Sequence, residues 1–123
     1  MAVEMASTKR ILIVDDNIDA ADLTAEVLRM NGLCVQVAYG GQEGLATALA
    51  TRPDVVFLDI GMPFMDGYEV AKALRREAAF QPLVIVALTA WGDEQSRQKS
   101  KAAGFDLHLT KPARFEELIK ISQ

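Results

Sequence analysis

Val55-Val56-Phe57-Leu58-Asp59-Ile60-Gly61-Met62-Pro63 decides how this chain is read. Four apolar residues in a row, two of them β-branched and one aromatic, predict a buried strand. The strand ends on the carboxylate of Asp59, and Gly61 and Pro63 then stop it. In open α/β sheets, ligands bind just outside the carboxyl ends of the strands. Asp59 therefore stands where such a sheet does its chemistry.

Three more strand ends carry matching groups. The run 11–14 leads into Asp15-Asp16, the run 83–88 leads into Thr89, and the segment 105–109 is followed by Lys111-Pro112. Between the strands the chain supplies helices. Asp15-Asp16-Asn17 is a helix-initiating cluster, and the helix after it runs to about Met30 with Ala20, Leu23, Val27 and Met30 at core-facing spacing. Asn31-Gly32 stops it. A second strand is predicted over 33–37 and a helix over 42–51 that buries Leu45, Ala48 and Leu49; Pro53 closes that helix. Asp66 caps a helix that opens at Gly67, carries Val70, Ala73 and Leu74 inward and ends near Glu77. The helix over 93–102 has no apolar stripe, and a helix polar all round is weakly docked or waits for a partner. Phe115, Leu118, Ile119 and Ile121 mark a short last helix.

Five strands alternating with five helices give an α/β fold, a parallel sheet covered on both faces. The runs beginning at 11, 55 and 83 are continuously apolar, as central strands are. Phe105-Asp106-Leu107-His108-Leu109 alternates and 33–37 is interrupted by Gln36, as edge strands can be. The expected architecture is the flavodoxin-like, doubly wound (βα)5 order 2-1-3-4-5, with its switch point between strands 1 and 3. Asp15, Asp16 and Asp59 flank that crevice.

The chain has 123 residues, half of them hydrophobic, which suits one domain over 9–123 behind a loose leader at 1–8. A net charge of −4 argues against a nucleic-acid-binding surface. The single Cys34 excludes an internal disulfide and reads, within Leu33-Cys34-Val35, as a buried small residue. No secretory signal opens the sequence and no apolar run is long enough for membrane insertion, so the expected location is cytoplasmic.

Adjacent carboxylates facing a third are hard oxygen ligands suited to Mg²⁺, and no His or Cys cluster competes for zinc. Three carboxylates and Lys111 leave a formal charge of −2, which one Mg²⁺ would neutralise. A carboxylate can act as a nucleophile toward phosphorus, given a metal and donors to hold the phosphoryl oxygens. Thr89 and Lys111 are donors of that kind. Taken singly, each group also has a plain structural role, as a cap, a turn or a solvated charge. Their placement on one edge of one sheet sets them apart.

Over about 9–121 the chain resembles the receiver domain of two-component response regulators. The matching motifs are Val14-Asp15-Asp16-Asn17, Leu58-Asp59-Ile60-Gly61-Met62-Pro63 with Met65-Asp66-Gly67, Ala87-Leu88-Thr89-Ala90, and Lys111-Pro112. The resemblance implies a signalling switch in which Asp59 takes a phosphoryl group from a histidine kinase or histidine phosphotransfer protein and loses it slowly by itself. It implies that Asp15, Asp16, Asp59 and the backbone carbonyl of Gly61 hold Mg²⁺, that Thr89 and Lys111 contact the phosphoryl oxygens, and that the peptide before Pro112 is cis. It also implies an output surface formed by helix 4, strand 5 and helix 5, read by a downstream protein or a parent-chain domain. The segment 91–111 looks most like receivers of hybrid histidine kinases. Trp91 fits either a partner contact or a packing anchor.

His108 departs from the family pattern, because the switch position three residues before the lysine usually carries Tyr or Phe. On an alternating strand, His108 and Asp106 would share one side while Phe105, Leu107 and Leu109 face the other. A solvent-facing polar residue is the competing reading for His108.

Two other functions share parts of this pattern. A metal-dependent phosphohydrolase of the haloacid dehalogenase type uses an Asp nucleophile but wants a second Asp two residues on, where this chain has Gly61. A flavodoxin-type flavin binder shares the fold, but its first loop receives a phosphate, which Asp15-Asp16 would repel.

Overall fold

A computed structural model of the protein describes residues 9–77, 82–90 and 94–123. The leader at 1–8 and Trp91 lie outside the described residues. The strands are β1 (Arg10–Val14), β2 (Cys34–Ala38), β3 (Val55–Asp59), β4 (Val84–Thr89) and β5 (Leu107–Thr110). The helices are α1 (Ile18–Met30), α2 (Gly41–Thr51), α3 (Gly67–Glu77), α4 (Glu94–Ala103) and α5 (Phe115–Ser122). The five strands are parallel in the order β2-β1-β3-β4-β5. The predicted centre and edges are therefore the observed ones.

Strand alternation divides the core into two layers. Ile11, Ile13, Val55, Phe57, Val86 and Leu88 pack against Ala21, Ala25 and Leu28 of α1 and Leu118 of α5. Leu12, Val14, Val56, Leu58, Ile85 and Ala87 pack against Ala48 of α2, Val70, Ala71 and Leu74 of α3, and Ala103 of α4. The strands β1 and β3 contribute to both layers, which is why they read as unbroken apolar runs. Among the described residues, no helix is long and apolar enough to cross a membrane.

The structure corrects several expectations of burial. Helix α1 turns Ala21, Ala25 and Leu28 to the sheet, one position round from the predicted stripe. Ala20, Leu23 and Met30 are exposed instead, Met30 at 80%. Two alanines on the buried face let the helix lie close to the strands, and apolar periodicity alone does not reward small residues. In α2, Leu49 is likewise outward while Gly44 packs against Val14. Cys34 is exposed, because on the edge strand β2 only alternate residues such as Val35 reach the core. Strand β5 begins at Leu107, so the alternation does not extend back to Phe105. Phe105 enters the core layer under α3 and α4, the face on which His108 meets α4, whereas Leu109 packs in the opposite layer.

Candidate functional site

The site is assembled from the carboxyl ends of four strands. Asp15 follows β1 directly, and its N–H donates to the Ala38 carbonyl at the end of β2 (3.1 Å). The cap of α1 is Asn17, whose side-chain oxygen accepts from the Ala20 N–H at 3.1 Å. Asp15 Oδ1 in turn accepts the Asn17 N–H (3.0 Å), which turns this carboxylate over the strand end rather than into the helix. The two adjacent acids are thereby spared for other work. Asp15 is buried and Asp16 is exposed.

Asp59 is the last residue of β3 and only 8% exposed. Its Oδ1 accepts the Gly61 N–H at 3.1 Å. The loop after it is closed by Gly67, whose N–H donates to the Ile60 carbonyl (3.1 Å). A Cβ on Gly67 would stand 2.7 Å from the Asp59 carbonyl oxygen and 2.8 Å from the Ile60 Cα. Only glycine permits that approach. Asp66 caps α3 as expected, accepting the Glu69 N–H at 3.0 Å.

Thr89 ends β4 and is buried, one register position beyond Leu88, the partner of Asp59. The Thr89 carbonyl accepts the Lys111 N–H (2.7 Å), which carries the lysine to the same edge. The Lys111–Pro112 peptide is cis. Lys111 Nζ donates to Asp15 Oδ2 at 3.1 Å and lies 3.5 Å from Asp59 Oδ1. One carboxylate oxygen each from Asp15, Asp16 and Asp59 fall within 4.8 Å of one another.

Three acids this close perturb one another. Burial, and then the Asp15 carboxylate, push Asp59 up to about 6, against the opposing pull of Lys111 and the Gly61 N–H. Burial disfavours the Lys111 ammonium, but the carboxylates of Asp15 and Asp59 outweigh it and hold its pKa above the usual lysine range. Three carboxylates against the one ammonium of Lys111 leave the cluster negative, and its donors are all hard oxygens.

Every strand-end residue singled out from the sequence comes to this edge. His108 does not: it is half-buried under α4, with Nδ1 3.1 Å from Ser100 Oγ. Asp106, expected beside it, is held by Arg75 of α3 in an ion pair of 2.5 Å. The role of Gly67 as a spacer was missed, and the Asp-Gly pair at a helix start was its only sequence signal. Beside the acids, a groove of about 440 Å³ runs from Asp15 and Lys111 past Leu23 and Thr24 of α1 to Pro112 and Phe115.

Comparisons with known proteins agree with this geometry. The chain is 38% identical over 110 residues to the DNA-binding dual master transcriptional regulator RpaA of Synechocystis sp., covering 89% of this chain and 46% of RpaA. It is 38% identical over 113 residues to the transcriptional regulatory protein PrrA of Mycobacterium leprae, covering 92% and 48%. The chain thus spans about half the length of these relatives. The chemotaxis protein CheY4 of Vibrio cholerae superposes with a TM-score of 0.87 at 34% identity, covering 94% of this chain and 96% of CheY4. The family model of the response regulator receiver domain matches residues 11–123. With the sheet order, the strand-end acids and the lysine in place, the chain belongs to the receiver domains of two-component response regulators.

Proposed function

We propose that the domain is a phosphorylation-dependent switch in which Asp59 accepts a phosphoryl group from a histidine kinase or histidine phosphotransfer protein. The observation that carries this reading is the meeting of Asp15, Asp16 and Asp59 within 4.8 Å, with Lys111 against two of them. The ionised Asp59 oxygen attacks phosphorus in line, the P–N bond to the donor imidazole breaks, and the imidazole keeps that electron pair. The product is an acyl phosphate on Asp59. Lys111 and Thr89 donate to the phosphoryl oxygens, Lys111 turning from Asp15 to do so. Asp15, Asp16, Asp59 and the Gly61 carbonyl would hold Mg²⁺, and the all-oxygen donor set with its excess negative charge fits that ion. Held there, Mg²⁺ would supply positive charge to offset the negative charge gathered during transfer.

The groove along α1 and α5 gives a protein donor access to the acids from one side. Output passes to a downstream protein or a parent-chain domain through α4, β5 and α5, in a cytoplasmic setting. Acetyl phosphate with Mg²⁺ tests the reading: intact mass should rise by one phosphoryl group, and Asp59→Asn should abolish the gain. Undiminished labelling of that variant, or steady turnover of the donor as in a phosphohydrolase, would overturn it.

A further inference from the structure

The loop between β3 and α3 is strained at its tip. Met65 N–H donates to the Pro63 carbonyl (2.8 Å), and Phe64 between them has φ +66°. A hydrogen bond closed around one residue of positive φ is the rare, strained hand of γ-turn. A bulky side chain in that region costs energy that glycine would not. The surroundings hold the turn in place. Met65 packs on the core and Asp66 caps α3. Gly41, at the start of α2, has no room for a Cβ, which would stand 2.2 Å from the Met65 carbonyl oxygen.

The turn puts an aromatic ring in water. Phe64 is fully exposed, and among the described residues no large apolar side chain is more so. The ring borders a groove of about 450 Å³, walled by Pro63 and Met65 of its own loop and by Tyr39, Gly40 and Gln42 after β2. This groove is on the α2 and α3 face of the sheet. The groove past Leu23 and Phe115 is on the α1 and α5 face, and the acids lie between the two.

The rim of the Phe64 groove is acidic. Glu43 lies in the first turn of α2, Asp66 and Glu69 open α3, and Asp22 of α1 accepts the Tyr39 hydroxyl at 2.5 Å. Residues 10–70 hold ten carboxylates against three basic side chains, whereas 71–123 hold nine basic against six acidic. Of those three, Arg10 starts β1, Arg52 ends α2 and Arg29 donates to the Val35 carbonyl near the start of β2 (2.8 Å). All three therefore lie toward the opposite edge of the sheet, away from this rim.

A protein that passes a phosphoryl group to Asp59 must bring its imidazole to the acid edge. Phe64 stands on that edge, five residues along the same loop. We propose that Phe64 and its groove are a docking site for the protein phosphodonor, which meets the ring with an apolar pocket and the acidic rim with lysine or arginine side chains. The site rests on the acceptor reading above and lies beyond the α1 and α5 groove. A ring already locked in place loses little freedom on binding, which suits it to be an anchor.

Phe64→Asn tests it, since asparagine tolerates the left-handed region and removes the ring. The probes are acetyl phosphate and the source organism's own histidine kinases and histidine phosphotransfer proteins, each purified and phosphorylated before mixing with the full chain. With the fastest protein donor, Phe64→Asn should lower kcat/KM for transfer about ten-fold or more, the factor for burying one aromatic ring. The loss should fall on KM, as for a contact made equally before and during transfer. Labelling by acetyl phosphate should be unchanged, and the melting temperature should not drop, whereas a ring needed for packing would lower it. Phe64→Tyr should retain most of the rate, and Glu43→Lys should slow transfer and weaken its dependence on salt.

Undiminished transfer to Phe64→Asn would refute the site, as would a parent labelled by acetyl phosphate but by none of the protein donors. Equal losses with both kinds of donor would refute it too, by making Phe64 a support of the acid edge. Dimers of the parent that vanish in Phe64→Asn, with transfer unchanged, would assign the ring to a second copy instead. A parent that neither acetyl phosphate nor any protein labels would sink the acceptor reading itself.

Discussion

Nζ of Lys111 donates to Oδ2 of Asp15 across 3.1 Å, joining residues 96 positions apart in the chain. The contact makes the lysine part of the domain's electrostatic balance. Lys111→Met should lower the stability of the metal-free domain at pH 7 by about 1 kcal/mol, since the lysine is partly solvated. The stabilisation belongs to the charged amine, whose folded pKa is raised. It is present through neutral pH and lost as pH climbs past the ordinary lysine range. The variant should still accept phosphate from acetyl phosphate but move α4 little, which hydrogen exchange checks.

The raised pKa of Asp59 fixes a second outcome. Between about pH 4 and 6 the folded chain binds this proton more tightly than the unfolded chain does. The metal-free domain therefore loses stability as pH rises through that window, and ionised Asp59 works against the fold at neutral pH. Asp59→Asn should be more stable than the parent at pH 7 by on the order of 2 kcal/mol. The two proteins should converge near pH 4. Urea denaturation in EDTA at both pH values measures the difference.

Metal binding should draw on the same proton. Mg²⁺ needs the ionised carboxylate, so affinity should climb up to about pH 6 and then level off, with proton release on binding below that point. Asp16→Ala should weaken Mg²⁺ at least about ten-fold and leave the fold intact, because relieving clustered like charge costs an apo site nothing. Calorimetry in buffers of different protonation enthalpy reads both effects.

Gly67→Ala should disturb the site without touching an acid. Its methyl would meet the Asp59 carbonyl oxygen at 2.7 Å and the Ile60 Cα at 2.8 Å, backbone atoms that cannot yield as a flexible side chain would. A loss of about 1–3 kcal/mol is expected, with slower labelling by acetyl phosphate. Thermal denaturation and intact mass would follow the two consequences separately.

The sheet was legible because its evidence is local. Continuous apolar runs mark β1, β3 and β4, alternation marks the edges, and the candidate site groups sit within two residues of where each run stops. The orientation of α1 was not legible, since Ala20 and Ala21 fit adjacent stripes and only the close approach to the sheet selects Ala21, Ala25 and Leu28. Phe105 misled because alternation was read across a bend that precedes β5. The Arg75–Asp106 pair, the Gly67 approach and the Ser100–His108 contact join residues from different elements, and no spacing rule on one element reveals such meetings.

Four strand ends, from Asp15 to Lys111, must arrive before the acids and the lysine share one edge. No contiguous fragment short of nearly the whole domain contains them all. In a chain still emerging from the ribosome, the acids of β1 and β3 are made before the β5 end that carries Lys111. On the acceptor reading, Asp59 should therefore take phosphate only in a molecule whose sheet is complete.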